Sequence, residues 1–224
     1  MTKFKFLPML VVAAAMLASC ASVSKERATE NRQVAEFNAL SIKAPADVYF
    51  TQGETRSIKI VAPQSIIDNY KTEVVDGQLI VQCDKRHFWN AEADIYITAP
   101  TLNGISVFGA GDFECNRLRS EQPVSIEVTG AGDISIKKLL CPSASVNVAG
   151  AGDIGVAFEG AQAVDATVTG AGDLDLFFTK CGMVTCHVAG AGDINLAGEV
   201  RGLQKSISGV GDIDVSKLTI LDQK

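Results

Sequence analysis

Residues 124–136 read VSIEVTGAGDISI, residues 144–156 read ASVNVAGAGDIGV, and residues 164–176 read VDATVTGAGDLDL. Each stretch centres on one phrase: Gly, a small residue, Gly, Asp and an apolar residue. The phrase occurs six times, with successive aspartates 19 to 21 residues apart. A fixed period of this size is typical of one structural unit stacked on copies of itself. The six aspartates are Asp112, Asp133, Asp153, Asp173, Asp193 and Asp212.

Apolar and polar residues alternate on both sides of each aspartate. Val124, Ile126 and Val128 precede Asp133 at every second position, and Ile134 follows it in the same phase. A period of two indicates a β-strand with one buried face, and β-branched residues with recurrent glycines exclude a helix. Two short strands per unit predict an all-β fold, a single parallel β-helix with coils of about 20 residues stacked about 4.8 Å apart. Its crossovers are expected to be right-handed.

The amino-terminal half of this body is predicted to be less regular. Ala46-Asp47-Val48 resembles a degenerate corner, and Asp47 precedes Asp112 by about three periods of the repeat. Residues 63–70 have the pattern of one or two helical turns, with Pro63 at the start. Since no linker or low-complexity run follows residue 34, residues 35–224 are predicted to form one domain.

The amino terminus has the features of an export signal. Residues 1–19 combine a basic start, an apolar run and small residues, which is typical of a secretory signal peptide. The sequence Leu17-Ala18-Ser19-Cys20 resembles a bacterial lipobox, and this resemblance implies cleavage before Cys20 and lipidation of that residue. Residues 20–34 would then be a lipidated, flexible tether. The acyl chains would anchor the protein to a membrane of the cell envelope, which we expect to be the outer membrane.

Charge narrows the classes of partner, and the number of cysteines raises the question of disulfides. The whole chain has a formal charge of −6, and loss of Lys3 and Lys5 with the signal peptide leaves 18 basic and 26 acidic residues. No basic stripe remains, so nucleic acid is not an expected partner. Five cysteines follow Cys20, and the register favours buried free thiols, with a Cys181–Cys186 disulfide as the alternative.

Stacking would place the six aspartates of the phrase in one column. Like charges about 4.8 Å apart repel each other, so some group must compensate them. The favoured interpretation is structural: each carboxylate accepts hydrogen bonds from amides of its own corner, as in an Asx turn. The alternative is a row of divalent cations such as calcium, although the order and period differ from the Gly-Gly-x-Gly-x-Asp nonapeptides of calcium-binding β-rolls. No other cofactor is expected.

The pattern points to no catalytic residues. Parallel β-helices that cleave acidic polysaccharides use carboxylates with Arg or Lys on one face, and the predicted outward rows contain no basic residue. Phe88 and Trp89, in a loop between two strands, are candidates for ligand contact or for covering an open end of the coil. The outward rows are Glu127, Asn147, Thr167 and His187 on one strand and Glu114, Ser135, Gly155, Asp175, Asn195 and Asp214 on the other.

Three features together resemble the head GIN family, a group of exported bacterial proteins named for auto-transporter adhesins. They are the lipobox, the segment Asp47-Val48-Tyr49-Phe50-Thr51-Gln52-Gly53 and the repeated Gly-Ala-Gly-Asp corners. The resemblance covers about residues 36–217 and implies a β-helical fold with an adhesive or surface role. It supplies no catalytic residues.

These observations favour a lipid-anchored, non-enzymatic envelope protein that binds a glycan or a protein partner. One alternative is a carbohydrate-active enzyme of the β-helix type, a polysaccharide lyase or hydrolase. A second is a purely structural envelope module whose open end pairs with another chain.

Overall fold

The computed structural model describes residues 26–84 and 93–221, and their strands form a β-solenoid. Most coils contribute one strand before the Gly-x-Gly-Asp corner and one after it, which gives a pre-corner face and a post-corner face. The pre-corner strands are β2 Ala39–Lys43, β6 Gln78–Cys83, β8 Gly104–Gly109, β11 Val124–Gly130, β13 Ser143–Val148 and β15 Ala163–Val168. The post-corner strands are β3 Asp47–Gln52, β7 Asp94–Ala99, β9 Asp112–Cys115, β12 Ile134–Leu140, β14 Ile154–Glu159 and β18 Ile213–Ile220. Two long strands, β16 Leu174–Val188 and β17 Ile194–Ile207, pass through both faces.

Neighbouring coils pair in parallel and in the register that the repeat predicts. Ile126 lies opposite Val146, Val146 opposite Ala166, and Ala166 opposite Cys186, so equivalent residues form columns along the solenoid. The columns predicted to point inward are buried and form the core, except near the last coil, where Lys205 and Ile207 are exposed and Val215 is partly buried. Phe158 and Phe178 stack inside it, with ring centroids 5.7 Å apart. The predicted parallel, all-β repeat architecture is therefore confirmed.

The corner glycines are required by close approach of the backbones of successive coils. A Cβ atom placed on Gly152 would overlap the carbonyl oxygen of Gly132, and one placed on Gly170 would overlap that of Gly150. Neither Gly152 nor Gly170 has a positive φ, whereas Gly130, which approaches the Gly109 carbonyl oxygen, has a φ of +141°. Van der Waals exclusion therefore accounts for most of the repeated glycines, and backbone conformation for few of them.

The order of the first coils in space differs from their order along the chain. Asp47 precedes Asp112 by about three periods along the chain, yet β3 pairs directly with β9 and places these two aspartates side by side. The coil formed by β6 and β7 stacks on the other side of β2 and β3. Between β3 and β6 the chain forms antiparallel strands at residues 57–63 and 70–75. These strands explain the irregularity predicted for the amino-terminal half.

Antiparallel strands close the amino-terminal end of the solenoid. They are β1 Arg27–Arg32, β4 Ser57–Pro63 and β5 Tyr70–Val75: β4 pairs with both β1 and β7, and β5 pairs with β6. A short 3-10 turn, Ile67–Asn69, lies between β4 and β5, and the buried Tyr70 donates a hydrogen bond from its hydroxyl to the Pro45 carbonyl at 3.0 Å. The expected tether of residues 20–34 is thus partly folded, since residues 27–32 form β1.

The carboxyl-terminal end is more open. Leu203, Lys205 and Ile207 occupy inward columns opposite Val184, Cys186 and Val188, yet Lys205 and Ile207 are exposed. Within the described part of the chain no further strand covers them.

The remaining short strand, β10 Leu118–Arg119, pairs with β12 on the return side of the coil.

The five cysteines after Cys20 are buried free thiols, as favoured from the register. Burial raises the pKa of Cys186 to about 12 and the pKa of Cys115 and of Cys141 to about 11. In residues 26–84 and 93–221 the protein contains no helix with the length and apolar character needed to span a membrane.

Candidate ligand-binding face

The aspartate column is a hydrogen-bonded ladder between coils. The Asp133 amide donates to Oδ1 of Asp112, and the same bond recurs at each later corner, at 2.7–2.9 Å. The expected Asx turn is therefore not the main arrangement, because the donor belongs to the neighbouring coil. Each carboxylate links two coils, up to the final bond from Asp212 to Asp193.

Two further aspartates extend the column at its amino-terminal end without continuing its hydrogen bonds, since the Asp112 amide donates to the Ala46 carbonyl and the Asp47 amide to the Ala93 carbonyl. Asp47 lies opposite Asp112 on one side and opposite Asp94 on the other, which gives a column of eight. Asp94 was missed from the sequence, although Ala93-Asp94-Ile95 has the same small–Asp–apolar order as Ala46-Asp47-Val48. Desolvation, followed by the charges of Asp112 and Asp94, raises the pKa of Asp47. Arg27 pairs with Asp94 at 2.8 Å.

One oxygen of each carboxylate from Asp112 to Asp193 is used in the hydrogen bonds of the ladder. No group of three or more His, Cys, Asp or Glu side chains in the described segments is arranged to hold a metal ion.

The two outward rows expected from the sequence are present. Glu127, Asn147, Thr167 and His187 lie opposite one another on the pre-corner face. On the post-corner face the row runs from Glu114 through Ser135, Gly155, Asp175 and Asn195 to Asp214. Tyr49 and Tyr96 extend the second row towards the amino-terminal end.

An open groove of about 390 Å³ lies on the post-corner face near the last coils. Asp175 and Asp214 stand on either side of Asn195, one strand away in each direction. Phe177 and Lys217 flank Ala197 in the same way. The small Ala197 side chain forms the floor between an exposed aromatic ring and an ammonium group. We call this set (Asp175, Phe177, Asn195, Ala197, Asp214 and Lys217) the Phe177 groove.

A β-bulge brings Lys217 into the groove. Between the pairs Asn195–Asp214 and Ala197–Lys217, β18 has one residue more than β17. The extra residue shifts the alternation of β18, so that Lys217 takes the row position where strict alternation would place Ser216. The two outward rows listed from the sequence contain no basic residue, but the bulge places Lys217 in the adjacent row, opposite Ala197 and close to Asp214.

Hydrogen bonds orient the polar groups of the groove. The Asn195 amide donates to Oδ1 of Asp175 at 2.9 Å. The Ser216 backbone amide and then its hydroxyl lower the pKa of Asp214, with a smaller contribution from the charge of Lys217. A general acid in glycoside cleavage needs a raised pKa, so Asp214 suits binding as a hydrogen-bond acceptor better than it suits proton donation.

His187, in the pre-corner row, points outward and its Nδ1 lies 2.8 Å from the Ser206 hydroxyl oxygen, whereas the adjacent Cys186 is buried on the opposite side of the strand. Cys20, Phe88 and Trp89 lie outside the described residues. Phe177 was missed because its position in the repeat is held by alanine in both neighbouring coils, and a single exposed phenylalanine has no periodic signal.

Comparison with known proteins places this solenoid in a family. The family described as "Putative auto-transporter adhesin, head GIN domain" matches residues 36–218. The chain belongs to the head GIN domain family. This confirms the resemblance drawn from the corner phrase and the Asp47–Gly53 segment. None of the curated proteins matches the chain.

Solved structures share the head GIN fold. A "putative adhesin" from Bacteroides fragilis NCTC 9343 is 28% identical, with a TM-score of 0.64, and the alignment covers 85% of this chain and 97% of that one. A "putative lipid binding protein" from Parabacteroides distasonis ATCC 8503 is 16% identical, with a TM-score of 0.57 over 85% and 96% of the two chains. A "putative adhesin" from Parabacteroides merdae ATCC 43184 is 15% identical, with a TM-score of 0.52 over 85% and 97%. The last two likenesses show the fold alone.

Proposed function

We propose that this head GIN protein is a lipid-anchored, non-enzymatic adhesin of the cell envelope that binds a glycan or a protein on its outer faces. The family description and the Bacteroides fragilis relative support an adhesive role. The lipobox at Cys20 supports lipid anchoring, which we assign to the outer membrane. The single observation that carries the proposal is the post-corner row, in which polar side chains from Glu114 to Asp214 follow one another at strand spacing on one face of a continuous parallel ladder, with the stacked rings of Tyr49 and Tyr96 at its amino-terminal end.

Rigidity is the physical reason that such a face suits binding. Side chains held at fixed spacing by a continuous parallel ladder lose little conformational freedom when a ligand binds, so more of the contact energy appears as affinity. The faces also display hydrogen-bonding groups over several coils, which allows an extended ligand to make many weak contacts.

Anchoring is tested by changing the proposed lipid acceptor. In the native host, Cys20→Ser is expected to abolish incorporation of labelled fatty acid and to release the protein from the membrane fraction. Cys186→Ser is the matched control, because its thiol is buried and points into the core. Equal labelling of the Cys20→Ser variant and the wild type would contradict lipidation at this residue.

Adhesion is tested with soluble protein that begins at Ala21. The protein is coated on beads and presented to a glycan array and to surfaces coated with matrix proteins, and any glycan that binds is then analysed by mass spectrometry. Selective retention without a change in ligand mass supports the adhesin. No retention on any surface would contradict it.

One observation favours a second candidate, a carbohydrate-active enzyme of the β-helix type. Lys217 stands beside the row that holds Asp175 and Asp214, so carboxylates and a basic group share one groove. Cleavage products in the same mass-spectrometric assay, lost on Asp175→Asn, would establish this alternative and displace the non-enzymatic proposal.

A further inference from the structure

We propose that the Phe177 groove is a saccharide subsite that takes one uncharged pyranose ring of a neutral glycan. This rests on the proposed function as a binding protein and names the ligand class and the residues that hold it. The groove combines three elements that such a ring needs: an uncovered aromatic surface, hydrogen-bonding groups of both senses, and a charge that selects against acidic sugars.

The aromatic surface is Phe177. Its side chain is 51% exposed, and the residues opposite it on the two adjoining strands are Ala157 and Ala197. These methyl groups are too short to cover the ring. The C–H groups on the apolar side of a pyranose can therefore pack against it, which removes apolar surface of both partners from water.

The other aromatic residues of this face are placed differently. Tyr49 and Tyr96 stack on each other, with ring centroids 5.2 Å apart and planes 21° apart. Lys59 lies over Tyr96, with its Nζ 4.2 Å from the ring centroid. Ring faces used in these contacts are less open to a ligand, so Phe177 is the better platform.

Polar groups stand beside the platform at the distance of the next strand. Asn195 uses one amide hydrogen on Asp175 and keeps a second hydrogen and its carbonyl oxygen for a ligand. The carboxylates of Asp175 and Asp214 accept hydrogen bonds from hydroxyl groups, and Lys217 donates them. A pyranose presents hydroxyls that both donate and accept on its rim, which matches this mixture.

Charge decides between sugar classes. Two carboxylates and one ammonium give the groove a net negative charge, in a chain whose overall formal charge is −6. A uronic acid or another anionic sugar would bring a third carboxylate close to Asp175 and Asp214, and the repulsion would act across a few ångströms with little screening. A neutral sugar avoids this cost.

The size and shape of the groove set the length of ligand in contact. A volume of about 390 Å³ lies at the lower end of the range of small-ligand sites. Because the groove is open at the surface of a flat sheet, a polysaccharide chain can lie across it with one residue over Phe177.

The test uses soluble protein from Ala21 with two sets of probes. The neutral polysaccharides are dextran, mannan and galactan, and the acidic ones are polygalacturonate and alginate. Affinity electrophoresis measures retardation, and saturation-transfer NMR with the methyl glycosides of glucose, mannose and galactose detects contact with aromatic protons. We expect retardation by at least one neutral polymer and by neither uronate.

Variants locate the binding. Phe177→Ala is expected to weaken binding of the neutral polymer by about tenfold, and Asn195→Asp to weaken it because the substitution removes the side-chain amide that donates to Asp175 and to a sugar hydroxyl. Phe108→Ala is the matched control, because Phe108 is also exposed, at 36%, but lies on β8 of the pre-corner face. Its affinity is expected to equal that of the wild type.

The outcomes separate this proposal from the function on which it rests. Neutral-polymer binding that Phe177→Ala and Phe108→Ala leave equally unchanged would overturn the groove and keep the adhesin. Binding only to uronates, or to no saccharide, would also overturn the groove, and bead retention on protein surfaces would then still support the adhesin. Loss of retention on every surface would refute both.

Discussion

At the scale of single residues, the corner glycines determine how closely two coils can stack. A methyl group on Gly170 would overlap the Gly150 carbonyl oxygen, whereas one on Gly155 meets no atom within 4 Å. Gly170→Ala should therefore lower the free energy of unfolding by about 1–3 kcal/mol or more, and Gly155→Ala should raise it by about 0.4–1 kcal/mol. Urea denaturation of both variants measures the difference. Equal stability of the two would contradict close stacking at the corner.

The ladder aspartates make a second prediction at the same scale. Asp153 accepts the Asp173 amide hydrogen, and its own amide donates to Asp133. Asp153→Ala removes the acceptor and should cost about 0.5–1.5 kcal/mol. Asp153→Asn keeps an acceptor oxygen and relieves repulsion, so it should lower the free energy of unfolding less than Asp153→Ala does. The loss of stability in Asp153→Asn should be smallest at low salt, because repulsion between the aspartates is least screened there. The measurement is thermal unfolding at two salt concentrations.

Calcium provides the check on the structural interpretation of the ladder. Calorimetry should show no heat of binding, and the melting temperature should not change. Binding that Asp153→Ala abolishes would instead establish the row of cations.

Among the strands, the start of β3 is the point at which three carboxylates lie side by side. Asp47 lies between Asp94 and Asp112, and its pKa is raised in the folded state. The folded protein therefore binds this proton more tightly than the unfolded chain does. It follows that this carboxyl lowers stability as the pH rises from its ordinary pKa near 3.8 through the raised folded value.

Asp47→Asn should remove this slope and increase stability at neutral pH. Denaturation at several pH values measures it, with Asp165→Asn on the outer side of β15 as the control. A stability profile of Asp47→Asn that parallels the wild type through the acidic range would contradict the assignment.

The inward columns of the strands predict the behaviour of the thiols. Burial raises the pKa values of Cys115, Cys141 and Cys186, so thiolate is scarce and reagent has no access. Protein from Ala21 should show no rapidly reacting thiol when native and five when denatured without reductant. Three reactive thiols after denaturation would indicate one disulfide.

For the whole molecule, the two ends of the solenoid differ. β1 covers the edge of β4 at the amino-terminal end, whereas Lys205 and Ile207 are exposed at the other end. Deleting residues 21–33 should lower the melting temperature and promote association through the uncovered edge of β4, as size-exclusion chromatography would show. Deleting only residues 21–25 is the control and should have no effect.

Much of the architecture follows from local sequence. The corner phrase and the alternation of Val124, Ile126 and Val128 assign the face of each residue, because side chains of a strand alternate with a period of two whatever strand lies beside it. The outward rows and the buried thiols were predictable for this reason. The family likewise followed from the phrase, which recurs at six corners of the chain.

Contacts between residues distant in the chain had no such signal. The stacking of β6 and β7 outside β2 and β3 depends on which exposed edge offers the best pairing, and period-two alternation is the same for every choice. The bulge that turns Lys217 outward is a shift of one residue in one strand. The openness of Phe177 depends on alanines 20 residues away on either side. Neighbouring coils therefore create the groove, and no single stretch of sequence contains it.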